Sequence, residues 1–178
     1  MQALRTLHLL RHAKAVGTAA DGTDHARPLA ARGIRVVKAL AAHLAKGNFH
    51  LTEVFCSTSQ RTRETWQFIA PALPGVSIAF SDQLYLEASG KLMEFIRNLP
   101  DAAGDVMIIG HNPAFHETAR GLARDAKSGH AEELAALKVK FPTGALCSLQ
   151  FNVAHWREVK TGGGILSGFV RPSDLADD

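Results

Sequence analysis

Cysteine is scarce in this 178-residue chain: Cys56 and Cys147 are the only two, too few for a disulfide framework. That scarcity predicts a reducing, cytoplasmic setting. Long apolar runs are also missing, and nothing approaches the ~20 residues needed to span a bilayer, so no membrane partner is expected. Residues Met1 to Thr6 carry one cation and lead into a strand-like segment, unlike the apolar run and small-residue cleavage site of a secretory leader. Aromatic residues make up only 7% of the chain and no basic run occurs, which argues against a nucleic-acid partner. A Walker-type phosphate loop and a dinucleotide fingerprint are both absent.

What is present is ordinary in bulk and informative in order. Hydrophobic residues are 46% and charged residues 21%, the balance of a globular protein. The length fits a single domain over residues 1–178, able to bury roughly 70% of its unfolded surface. The net charge of +3, with nine histidines, suits an anionic partner without saying which. Leu7-His8-Leu9-Leu10, Glu53 to Cys56, Val76 to Phe80 and Val106 to Ile109 read as strands. Between them, Ile34, Val37, Leu40, Ala41 and Leu44 recur at helical spacing, as do Trp66, Ile69 and Ala70, and then Leu92, Phe95, Ile96 and Leu99. Gly47-Asn48, Pro71 and Pro100 supply the stops. Strands alternating with helices predict an α/β three-layer sandwich with a mostly parallel central sheet. Beyond residue 140 the pattern alternates at Ala145 to Phe151, Trp156 to Lys160 and Ile165 to Val170, which predicts antiparallel edge strands joined through Gly162-Gly163-Gly164.

Ligands of open α/β sheets bind at the carboxyl ends of strands. Here the first strand ends in Arg11-His12, the second leads through Ser57-Thr58-Ser59 to Arg61, and the fourth ends in Gly110-His111-Asn112-Pro113. Asn112 suits a helix N-cap and Pro113 a first helical residue. Convergence of these groups would make a phosphate site; a solvated or ion-paired surface is the plainer reading of each pair alone. Cys56 does not fit a cysteine-phosphatase loop, because only four residues separate it from Arg61 where five are needed, so it reads as a packed strand residue. His111 and His116 are five apart, about 140° around a helix, which is not a metal-binding pair. No metal and no cofactor is implied. Lys14 either approaches the phosphate or faces water, and Asp21, Asp24 and His25 lie in a polar loop that either covers the site or is simply solvated.

Leu10-Arg11-His12-Ala13 resembles the Arg-His-Gly motif of the histidine phosphatase superfamily, whose fold is phosphoglycerate mutase-like. Ser57 to Thr65 resembles its second arginine motif, Gly110 to Pro113 its second catalytic histidine, and Arg27-Pro28-Leu29 with Gly33 its entry into the first helix. The resemblance is nearest to SixA-type phosphohistidine phosphatases and extends through Phe141 to Ala145 and Trp156. It implies that His12 is the nucleophile, carrying a transient phosphohistidine, with Arg11, Arg61 and His111 holding the phosphoryl oxygens. Ser57 and Asn112 would join them in binding substrate. Glu87 lies one residue out of register with the family's general acid and reads equally as a surface carboxylate. Ala13 replaces a glycine, and Ala15 and Thr18 replace the Thr and Asn of many mutases, so mutase activity is not implied. The expected function is a metal-independent phosphatase acting on a phosphorylated protein, such as a histidine phosphotransfer domain. The alternatives are a small-molecule phosphomonoesterase and, in a different class, a non-catalytic phosphate- or nucleic-acid-binding module.

Overall fold

Alternation along the strands places apolar side chains on both faces of the sheet, and helices cover both. The computed structural model describes residues 4–85 and 89–175. Seven strands run β1 (Leu4–Arg11), β2 (Glu53–Ser57), β3 (Ser77–Ser81), β4 (Asp105–Gly110), β5 (Ala123–Ala126), β6 (Leu146–Asn152) and β7 (Gly164–Val170). The helices are α1 (Ala31–Lys46), α2 (Gln60–Ile69), α3 (Ser89–Arg97), α4 (Ala114–Leu122) and α5 (Ala131–Val139). The sheet order is β3-β2-β4-β1-β6-β7-β5. On one face, Leu7, Leu9, Val106 and Ile108 pack with Ile96 of α3 and with Phe115, Ala119 and Leu122 of α4. On the other, Leu10, Val54, Cys56, Met107 and Ile109 pack with Val37, Leu40 and Leu44 of α1 and Ile69 of α2. Among the described residues no helix is long and apolar enough to cross a membrane.

The α/β architecture is as expected, with two differences on the C-terminal side. β6 is antiparallel to both β1 and β7, but the outermost strand is β5, which pairs parallel to β7. Its short, half-exposed Ala-Arg-Asp-Ala sequence carries no alternation that would announce a strand. Residues Trp156 to Glu158 form a 3-10 turn instead of a strand. Trp156 is fully buried and its indole N–H donates to the Ala103 carbonyl at 2.7 Å. The Glu158 carboxylate accepts from the backbone N–H groups of Ala154 and His155, which closes the turn.

Strand register fixes where chemistry can occur. β1, β2 and β4 are mutually oriented so that Arg11 lies opposite Gly110, and Cys56 opposite Ile109. The carboxyl ends of three adjacent parallel strands therefore meet at one edge. The chain leaving β1 is held by close backbone contacts. Gly33 packs so near Lys14 that an added Cβ would lie 2.1 Å from the Lys14 carbonyl oxygen, and the Ala30 N–H donates to that same oxygen. Gly144, at φ +79°, donates its N–H to the carbonyls of both Arg11 and His12.

Candidate active site

Arg11, His12, Arg61 and His111 line one cleft of about 540 Å³ at this strand edge, together with Lys14, Asp24, Arg27, Tyr85, Asn112 and Thr143. His12 and His111 are both buried, with ring centroids 5.1 Å apart. The Ala13 carbonyl lies 2.8 Å from His12 Nδ1. A carbonyl can only accept, so Nδ1 carries the proton and the lone pair of His12 is on Nε2. Burial, reinforced by the charges of Arg61 and Arg11, pushes the His12 pKa down to about 3, against the opposing pull of the Ala13 hydrogen bond. His12 is neutral at physiological pH.

The tautomer of His111 is fixed in the opposite sense. Arg61 Nη2 lies 3.3 Å from His111 Nδ1, and a guanidinium can only donate. Nδ1 is therefore the acceptor, and the Nε2 proton goes to Ser57 Oγ at 2.8 Å. Burial, then the neighbouring His12 and Arg61, lower the His111 pKa to about 3. Ser57 is fully buried, so it does not reach the cleft. The expected substrate contact from Ser57 is corrected to an orienting contact on His111.

Arg61 enters from the first turn of α2, where Ser59 is the N-cap residue. Thr65 ties this helix to β1's exit, accepting from the Ala13 N–H and donating to the Arg61 carbonyl. Arg11 donates from Nη1 to the Phe141 carbonyl at 2.8 Å, while its buried Nε has no partner among the described residues. Asn112 donates to the same carbonyl through Nδ2 at 2.9 Å, and its Oδ1 is buried. Asn112 thus braces the Phe141 segment while lining the cleft; its Oδ1 has no partner among the described residues and can only accept, so contact with a phosphoryl oxygen would fall to the second Nδ2 proton. Asn112 is not the N-cap of α4: that position falls on Pro113, one residue later. Glu87 lies outside the described residues. Cys56 is buried in the sheet and its thiol pKa is pushed up to about 12 by burial, as a packed strand residue requires.

Asp24, Arg27 and Tyr85 were not assigned to the site from the sequence. Asp24 accepts from Tyr85 Oη at 2.7 Å, Arg61 Nη2 at 3.0 Å and Arg27 Nη1 at 2.7 Å. The Tyr85 hydrogen bond, and then Arg61, hold its carboxyl well below the usual carboxylate range. Arg61 Nη1 also donates to the Asp24 carbonyl, and the Gln60 N–H to the His25 carbonyl. The loop after β1 is thereby fastened to the start of α2 and forms one wall of the cleft. The Tyr85 ring meets His111 edge-on at 5.5 Å.

Two arginines and two neutral histidines at the carboxyl ends of parallel strands make a pocket for a tetrahedral oxyanion beside a free imidazole lone pair. The sequence matches the histidine phosphatase superfamily (branch 1) over residues 7–94. An uncharacterized protein of Mycobacterium tuberculosis is 33% identical over 165 residues, spanning 92% of this chain and 99% of its own length. A structure from Nakamurella multipartitia, provisionally designated the phosphohistidine phosphatase SixA, has a TM-score of 0.78 at 27% identity, covering 96% of this chain and 97% of that one. One from Agrobacterium tumefaciens, with the same provisional designation, has a TM-score of 0.76 at 28% identity, covering 94% and 98%. The chain belongs to the histidine phosphatase superfamily, with a phosphoglycerate mutase-like fold, and its SixA-like neighbours support a phosphatase.

Proposed function

We propose that the protein is a metal-independent phosphatase that dephosphorylates protein phosphohistidine through a phosphoenzyme on His12. The observation that carries this reading is the His12 tautomer: Nδ1–H is committed to the Ala13 carbonyl, leaving Nε2 as the nucleophile among Arg11, Arg61 and His111. Nε2 attacks phosphorus in line with the leaving group, forming an Nε2–P bond as the substrate's N–P bond breaks. Arg11 and Arg61 hold the equatorial oxygens by forked donors. The arriving dianion favours protonation of His111 at Nδ1, which turns it from an acceptor of Arg61 into a donor to phosphate. The departing imidazole, protonated on its other nitrogen, leaves as a neutral ring. Water then attacks phosphorus, the N–P electron pair returns to Nε2, both water protons stay with the departing inorganic phosphate, and His111 gives up its Nδ1 proton to solvent.

The cleft favours a nitrogen leaving group. Asp24 is the one carboxylate among the described residues lining it, and three donors hold it ionised, so it is a poor proton donor to a leaving alkoxide. Imidazole, with a reference pKa of ~6.5, needs far less help than an alcohol. A phosphorylated histidine phosphotransfer domain incubated with the protein and a chelator tests the reading. Release of phosphate faster than from unactivated alkyl phosphates is expected; equal or faster turnover of the alkyl esters would contradict it.

A further inference from the structure

A second cavity of about 460 Å³ adjoins the catalytic cleft and shares Arg11, Lys14 and Thr143 with it. Beyond those three, its lining includes Arg32 of α1, Lys140 at the end of α5, and Arg171 after β7. No carboxylate lines it among the described residues. Arg171 is paired with Asp174 at 2.8 Å, but Lys14, Arg32 and Lys140 make no ion pair with any described residue. Cations from the β1 exit, α1, the α5 terminus and the β7 exit therefore converge on one groove, although they are far apart in sequence. Like charges brought together repel one another, so such a set favours occupation by an anion.

Arg11 joins the two cavities. Its Nη1 is anchored on the Phe141 carbonyl, and its Nε has no hydrogen-bond partner among the described residues. The guanidinium thus stands between the phosphoryl pocket and the groove. A ligand with one anionic group in each cavity would meet Arg11 from both sides.

We propose that this groove is a second anion subsite of the active site, taking a carboxylate or phosphate that the substrate carries away from its scissile phosphoryl group. The proposal rests on the catalytic reading above, under which the occupant is an acidic side chain near the phosphohistidine. Exposed charges of this kind act over a short, salt-screened range, so the subsite selects among substrates without assisting the chemical step.

The test compares the wild-type protein with the double variant Arg32→Gln/Lys140→Gln, since neither residue lines the catalytic cleft. One arm uses aryl phosphates with and without a tethered carboxylate or phosphate. The other uses phosphohistidine peptides carrying Glu or Gln beside the phosphorylated residue. The wild type should prefer the charged member of at least one pair by about fivefold to tenfold in kcat/KM, as expected for two exposed charge contacts. The preference should lie in KM, shrink with added salt and vanish in the double variant. p-Nitrophenyl phosphate should be hydrolysed equally by both proteins. A preference in the aryl arm alone marks a small-molecule occupant, and one in the peptide arm marks an acidic protein segment. Hydrolysis of aryl phosphates without any peptide turnover would overturn the phosphohistidine reading and leave the aryl arm to decide the subsite. Equal kcat/KM for charged and neutral partners wherever turnover occurs, or an equal loss on p-nitrophenyl phosphate in the variant, would overturn the subsite.

Discussion

At the residue scale, two histidines are kept neutral by burial and given opposite tautomers by their neighbours: Ala13 takes the Nδ1 proton of His12, and Ser57 takes the Nε2 proton of His111. Both native pKa values fall from 6.5 to about 3, so between these limits the unfolded chain binds more protons than the folded one. Their contribution is an acid-side instability: stability falls as pH drops from about 6.5 toward 3. Urea unfolding midpoints should therefore decline between pH 7 and pH 4, and less so in His12→Asn/His111→Asn. A decline unaltered by the two substitutions would count against buried neutral histidines. Arg11, His12, Arg61 and His111 were legible in the sequence because each stands at or just beyond a strand end. Ser57 was misread as a substrate contact, since a serine at a strand end looks the same whether it faces the cleft or the core. Tyr85 gave no signal, because it reaches the site only through the path of the chain after β3. Asp24 sits in a loop whose composition equally describes a solvated turn.

Among the elements, the approach of α1 to the chain leaving β1 is the tightest constraint that positions the site. Gly33 has no room for a methyl group: the contact would be 2.1 Å from a backbone oxygen that cannot rotate away. Gly33→Ala should cost about 3 kcal/mol, the upper range for overpacking, read as a lower urea midpoint. Because Lys14 follows the His12 segment directly, activity per folded molecule should fall as well; full stability and activity would show that the two elements are not rigidly seated. The parallel strands and their helices were readable because short apolar runs give way, at each boundary, to apolar residues recurring three and four apart. The 156–158 turn was not. Its alternation mimics a strand, and only the burial of Trp156 against Ala103 and the Glu158 cap reveal the difference. β5 escaped notice because four residues with two exposed charges carry too little pattern.

Over the whole molecule, the mild positive charge matters through its placement. The sheet gathers Arg11 and Arg61 around one cleft, and α1, the end of α5 and the exit of β7 bring Arg32, Lys140 and Arg171 to the groove beside it. The meeting of Arg11, His12, Arg61 and His111 in one cleft could be foreseen from motif spacing. The groove could not, since its cations come from segments with no common sequence pattern. The central claim is that His12 carries the phosphoryl group during turnover. Rapid quenching of the protein with labelled phosphohistidine substrate should trap a phosphoenzyme that is stable to base, labile to acid and located on His12 by peptide mapping. In His12→Ala the label and at least about 10³-fold of the activity should disappear while the folded circular dichroism signal remains. Persistent turnover in that variant, or label mapped to another residue, would contradict the account.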